Sequence, residues 1–358
     1  MTPTPDTPFS RDDTDAILDT AARWRAEGRG VALATVVKTW GSSPRPAGSQ
    51  LAADDAGAFA GSVSGGCVES AVIAEARAIL KGAPPKLLSF GVSDEQAWEV
   101  GLACGGSVEI FVRSVAGREE LLAGLRRARA ARKPALLATD LADGRSALFA
   151  EGEAAGDAAL AALLADDAAR ALAADQSRVL ERETRRYFLH VFAPPRRLAL
   201  VGAVHIAQAL IPMAAAAGYD VTVIDPRSAF AAESRFPGVT MTRAWPEAAL
   251  AAFAPDRRSA VIALTHDPKL DDPALAAALR SEAFYIGALG SRKTHAARVE
   301  RLKERGFGDA DIARIRAPVG LAIGAVSPAE IAVSILAEMT QAARGAAALA
   351  PVRQQAAG

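Results

Sequence analysis

Apolar residues at Val68, Val72, Ile73, Ala76, Ile79 and Leu80 recur at the spacing of a helix with one buried face, and Gly82, Pro84 and Pro85 stop it. Upstream, Ile17, Leu18, Ala21 and Trp24 predict a helix over 14–27, with Asp12 and Asp13 as caps and Gly28 to Gly30 as its close. Residues 31–37 are almost continuously apolar, as befits a strand covered on both faces. A hairpin over 50–60 turns at 54–57, strands are expected at 87–90 and 108–112, and 95–98 is helix-like. Between 115 and 185, helical Ala/Leu/Arg segments alternate with one short strand at 135–139, and the Ala/Asp-rich part at 151–175 reads as a surface element. A strand at 187–192 precedes the stiff, solvated linker Ala193-Pro194-Pro195-Arg196-Arg197.

Beyond the linker, strands at 198–201, 221–224, 260–264 and 283–286 alternate with helical stretches. Ser327-Pro328-Ala329-Glu330 supplies a serine cap, proline at N1 and glutamate at N3 for a last helix to about residue 343. The pattern predicts an α/β protein: a mixed α/β N-terminal domain over 1–193, then a Rossmann-like, doubly wound parallel sheet over 197–345. The ends, 1–10 and 346–358, read as disordered tails.

Composition narrows the function. Lys plus Arg and Asp plus Glu both total 41, so no charge imbalance favours nucleic acid or an anionic membrane surface. The longest apolar runs are strand-length, which predicts no membrane span, and residues 1–10 resemble neither a signal nor a transit peptide. Two cysteines 37 positions apart make no disulfide framework, and a reducing, cytoplasmic setting is expected.

Candidate chemistry in the first domain sits in three glycine-rich stretches. Gly41-Ser42-Ser43-Pro44-Arg45 offers hydroxyls, amides and a bidentate arginine to an anion, although the same residues suit a rigid turn. Ser64-Gly65-Gly66-Cys67-Val68-Glu69 puts a sulfur at the start of a helix, where amides and the dipole favour a thiolate. A small buried cysteine after a glycine turn fits that stretch equally well. Cys104-Gly105-Gly106 mirrors it, and neither cysteine has a second Cys or His within four residues, as a simple zinc motif would need.

In the second domain Gly202-Ala203-Val204-His205 follows a strand, and Asp225 ends the next strand 23 positions after Gly202. That is the layout of a dinucleotide-binding unit, except that Val204 stands where the second fingerprint glycine lets backbone approach a pyrophosphate. Arg227, His266, Gly290, Ser291 and Arg292 also follow strand ends, where such sheets bind ligands.

These motifs, with Tyr285-Ile286-Gly287-Ala288-Leu289-Gly290-Ser291-Arg292 and the run from Pro318 to Leu336, resemble the XdhC/CoxI family over nearly all of 31–340. The family comprises accessory proteins that mature xanthine dehydrogenase, carbon monoxide dehydrogenase and related molybdenum hydroxylases. The resemblance implies an XdhC/CoxI-type first domain and binding of the molybdenum cofactor, as molybdopterin or its cytosine dinucleotide form. It also implies a molybdenum hydroxylase client and sulfuration by a cysteine desulfurase; a homodimer is the further partner considered, on which the sequence itself is silent. The cofactor-binding set is then Gly41, Ser42, Ser43, Arg45, Ser64, Gly65, Gly66, Cys67, Glu69, Cys104, Gly105 and Gly106 in the first domain. In the second it is Gly202, His205, Asp225, Arg227, His266, Gly290, Ser291 and Arg292, where a nucleotide would sit. Cys67 would be the soft molybdenum contact, with Cys104 as the alternative. Departures from the family are Val204, usually glycine, and Ala322, often aspartate.

No nucleophile, base and oxyanion hole occur together, so a cofactor-insertion chaperone is expected rather than an enzyme. The Rossmann layout and Asp225 motivate a rival, an NAD(P)-dependent oxidoreductase. A module that binds only a protein partner is the third reading.

Overall fold

The computed structural model describes residues 13–40, 45–66, 68–91, 106–230 and 233–344. The expectations for 1–10, 95–98 and 346–358 lie outside the described residues. The chain divides between Pro194 and Pro195 into two compact units.

The first unit runs α1 (Asp13–Ala26), β1 (Val31–Trp40), β2 (Gln50–Asp54), β3 (Phe59–Gly61), α2 (Glu69–Leu80), β4 (Lys86–Phe90) and β5 (Ser107–Ser114). The same succession follows again as α3 (Glu119–Ala130), β6 (Ala135–Asp140), β7 (Ser146–Ala150), β8 (Glu153–Gly156), α4 (Ala158–Ala174), β9 (Arg178–Arg182) and β10 (Arg185–Phe192). The two antiparallel sheets have the matching orders β3-β2-β1-β5-β4 and β8-β7-β6-β10-β9. Their registers match too: Thr35 faces Gln50 and Phe111, as Thr139 faces Ser146 and Phe188. The unit is an internal duplication. Two reciprocal ion pairs mark it, Arg25 with Glu119 and Arg129 with Asp15, since Arg25 and Arg129 hold equivalent places on α1 and α3, as do Asp15 and Glu119.

The period of two along the strands splits the core. Ala32, Ala34, Val36, Leu51 and Ala53 pack under α2, whereas Val31, Leu33 and Ala52 face a shared cluster with α1 and α3. In the second sheet Leu136, Ala138 and Ala147 pack under α4, and Ala135, Leu137 and Leu148 join the shared cluster. One strand and a surface element were expected over 115–185. Instead β7, β8 and β9 are additional strands, each of five residues or fewer and so too short to show a clear alternation, and α4 buries Leu160, Leu164, Ala168 and Ala171 against the sheet.

The second unit runs β11 (Arg196–Val201), α5 (His205–Ala216), β12 (Tyr219–Ile224), β13 (Thr240–Thr242), α6 (Pro246–Phe253), β14 (Ser259–Ala263) and α7 (Pro268–Leu279). It continues as β15 (Tyr285–Ala288), α8 (Arg292–Glu304), α9 (Asp309–Ile312), β16 (Ile315–Arg316) and α10 (Pro328–Arg344). Its parallel sheet has the doubly wound order β13-β12-β11-β14-β15-β16. Leu198, Leu200, Ala260 and Ile262 face α5 and α10, while Ala199, Val201, Val261 and Ala263 face α6 and α7. Among the described residues no helix is long and apolar enough to cross a membrane.

Candidate functional site

The duplication supplies an internal control for the glycine-rich connections. In the second half, residues 140–145 join the last paired residues of β6 and β7, Asp157 alone joins β8 to α4, and residues 183–184 join β9 to β10. In the first half the equivalent connections are 36–49, 62–68 and 91–106. The fold needs only the short versions. Because β1, β3 and β4 all end, and β2 and β5 begin, at one edge of their antiparallel sheet, all three long connections start and finish there. Gly41, Ser42, Ser43, Cys67, Cys104 and Gly105 lie outside the described residues. Their flanks do not: Trp40 pairs with Ser107, and Phe90 pairs with Val108. Arg45, Ser64, Gly65, Gly66 and Gly106 are described and belong to the same edge, Arg45 half-buried and Gly106 buried.

Glu69 organises the middle connection. Its carboxylate is 8% exposed and accepts from the Ser62 hydroxyl at 2.8 Å, the Ser64 hydroxyl at 2.5 Å, and the amides of Val63, Ser64, Gly65 and Gly66 at 3.0–3.2 Å. Burial pushes the Glu69 carboxyl up, but the Ser64 and Ser62 hydroxyls and the loop amides outweigh it and hold the group at about 2. The Ser64 hydroxyl also accepts from the Val68 amide, which ties the loop to the first turn of α2. Glu69 was expected to bind cofactor. The structure uses both of its oxygens to shape the backbone that leads up to Cys67.

At the carboxyl edge of the parallel sheet, Gly202 adopts φ 118°, and a Cβ there would lie 2.7 Å from Thr265 Cγ2. Val204 is the N-cap of α5 and provides no side-chain cap. Asp225 is fully buried and accepts from the Ala203 amide at 2.8 Å, the Arg227 amide at 3.0 Å, and Arg227 Nε and Nη2 at 2.9 and 2.7 Å. Burial pushes its carboxyl up, and the Arg227 guanidinium with the two amides brings it below the ordinary value. Arg235 closes over the same loop, donating to the Ala203 carbonyl at 3.0 Å. The acid that would meet a ribose hydroxyl and an amide of the phosphate loop are thus bonded to each other, which does not favour dinucleotide binding. His205, His266, Ser291 and Arg292 are exposed and Gly290 is half-buried; His266 Nδ1 lies 3.7 Å from the place of a Gly290 Cβ.

Two residues here escaped the sequence reading. Arg298, 1% exposed, bonds Asp271 at 3.4 Å and the Leu289 carbonyl at 3.0 Å through Nη2. Its Nε and Nη1 have no hydrogen-bond partner. Burial pushes the Asp271 carboxyl up, against bonds from Thr265 and the Arg298 charge. An arginine amid the charges of α8 reads as solvated, and nothing in its spacing signals burial.

A family model described as the XdhC Rossmann domain matches residues 198–339, and one described as the XdhC and CoxI family matches residues 24–91. A molybdenum cofactor insertion chaperone, PaoD of Escherichia coli K12, is 30% identical over 336 residues, which are 94% of this chain and 90% of the relative. A protein of Bacillus subtilis 168, described as a probable subunit of xanthine dehydrogenase, is 28% identical over 313 residues, 86% of this chain and 92% of the relative. The crystal structure of a xanthine dehydrogenase from Bacillus halodurans superposes with a TM-score of 0.74 at 25% identity, covering 97% of this chain and 98% of that one.

Proposed function

The chain belongs to the XdhC and CoxI family, and on that premise we propose that it is a chaperone that holds the molybdenum cofactor and inserts it into a molybdenum hydroxylase client. One observation carries the reading: three connections longer than the fold requires, bearing both cysteines, begin and end at one sheet edge, and the middle one is folded around Glu69.

The donor set suits the group. The molybdenum cofactor combines a dithiolene-bound metal, a polar pterin and a phosphate, and these connections carry soft sulfur in Cys67 and Cys104, the hydroxyls of Ser42 and Ser43, and the Arg45 guanidinium. The amides of residues 63–66 are engaged by Glu69, so the phosphate is assigned to the Arg45 guanidinium. When bound, the cofactor supplies the redox-active metal to the client. This chain's residues would hold it, Cys67 or Cys104 through sulfur and Arg45 at the phosphate.

The reading extends to a cytoplasmic protein that forms a homodimer, receives sulfur for its cofactor from a cysteine desulfurase, and takes the cytosine dinucleotide form. The first domain, at 1–193, holds the cofactor; in the second, at 197–345, the residues that would meet a nucleotide are Gly202, His205, Arg227, His266, Gly290, Ser291 and Arg292. The test is purification from a host that makes molybdopterin, followed by oxidation and pterin fluorescence. A protein that emerges without pterin and takes up no added cofactor sinks the proposal.

A further inference from the structure

A polar cavity of about 260 Å³ lies beside the described part of the first connection, lined by Thr14, residues 46–49, Arg129, Ser177 and residues 190–193. His190 is buried, and the Arg129 side chain is 5% exposed. Gly48 has φ 96°, and a Cβ on it would come within 2.9 Å of His190 Nε2, so the loop closes on the histidine only as glycine.

The duplication shows what the second half does at the equivalent place. Matching strand registers pair Gly48 with Gly144, Val191 with Ser114, and Ala193 with Ala116, while Thr14 on α1 corresponds to Arg118 before α3. Gly144 also has positive φ, 75°, and its missing Cβ would lie near Pro85, the counterpart of Ser177, and near Arg118 Nη2. The Arg118 guanidinium sits against the carbonyls of Gly144, Ser114 and Ala116 at 3.1, 3.4 and 3.3 Å. One half therefore fills the position with its own planar N–H donor, and the other has a threonine there and a cavity. The Arg129 guanidinium takes over one of the three equivalent bonds, donating to the Ala193 carbonyl at 3.2 Å as it also reaches Asp15, and the cavity lies beside it.

Resting on the proposed function, we propose that this cavity receives the 2-aminopyrimidinone edge of the cofactor's pterin, standing where the Arg118 guanidinium stands in the second half. That edge is a planar amidine with N–H groups spaced like those of a guanidinium, and the carbonyls of Gly48 and Val191 are its acceptors, the Ala193 carbonyl being held by Arg129. Residues 46–49 of the first connection line the site, and Arg45, assigned to the phosphate, is the next residue along the chain.

The test uses the full chain and 6-hydroxymethylpterin, followed by fluorescence anisotropy. Thr14→Arg places in the cavity the arginine its counterpart already uses, and Ser177→Leu removes a polar wall while filling space. Both variants should bind the pterin about tenfold or more weakly than the parent; Thr14→Arg should melt at the parent temperature, and Ser177→Leu below it, because the Val191 amide loses the Ser177 hydroxyl, while staying folded by circular dichroism. Should Thr14→Arg not fold, Ser177→Leu alone decides. Parent-like pterin affinity in the folded variants overturns the assignment, and so does a parent that retains whole molybdenum cofactor yet ignores free pterin. A parent that takes up neither defeats the functional reading along with it.

Discussion

Ser64 gives its hydroxyl proton to Glu69 Oε2 at 2.5 Å, the shortest of the six bonds that fold the Ser-Gly-Gly stretch around one carboxylate. Glu69→Gln keeps the shape, removes the charge and turns an amine toward donors. It should lower stability by about 1–3 kcal/mol and impair cofactor retention, with α2 intact by circular dichroism. An unchanged melt would show that the loop is held by other contacts.

The same bonds set a pH dependence. The folded Glu69 carboxyl lies at about 2, below its ordinary 4.5, so its stabilisation is fully present above pH 4.5 and is lost as pH falls toward 2. The gap in melting temperature between parent and Glu69→Gln should hold at neutral pH and narrow across that window. A gap independent of pH down to 2 would refute the assignment.

Cys67→Ser removes a soft ligand while keeping size and a hydrogen-bonding group. The expected result is an unchanged melting temperature with loss of retained cofactor and of client activation. A lowered melt with full cofactor binding would instead mark Cys67 as a packing residue and pass the test to Cys104.

Asp225 is taken up by Ala203 and Arg227, so restoring the fingerprint glycine should not create a dinucleotide site. Both the parent and Val204→Gly are expected to show no saturable response in an NADH fluorescence titration. Micromolar binding by either would revive the oxidoreductase reading.

Gly202→Ala forces a positive φ on alanine and sets its Cβ against Thr265 Cγ2. A loss of about 1–3 kcal/mol is expected in chemical denaturation. Thr265→Ser removes that methyl and keeps the hydroxyl that bonds Asp271, so the double variant should recover part of the loss. Complete additivity would place the strain elsewhere.

Elements with strong local periodicity were legible from residue order alone. The helix over 69–80, the strand from residue 31, the βαβ unit from 196 to 224 and the capped last helix each announce themselves through spacing, turn residues and caps. So did the candidate loops, because glycine, serine and cysteine in short runs are conspicuous. The duplication was not legible: the halves share registers and strand order, but α1 pairs Asp15 where α3 has Glu119, and Thr14 where Arg118 stands, so topology repeats without a visible sequence repeat. Only the folded chain decided which polar groups meet. Glu69 and the loop amides lie within seven positions, yet nothing in their order says that the carboxylate turns back on its own loop rather than toward a ligand. For Asp225 with Ala203, Arg298 with Asp271, and Gly48 with His190, partners are 22, 27 and 142 positions apart. Local propensity acts over a turn or a strand, while burial and hydrogen-bond satisfaction act between whichever residues the sheets bring together, and the chemistry of this protein depends on the second kind.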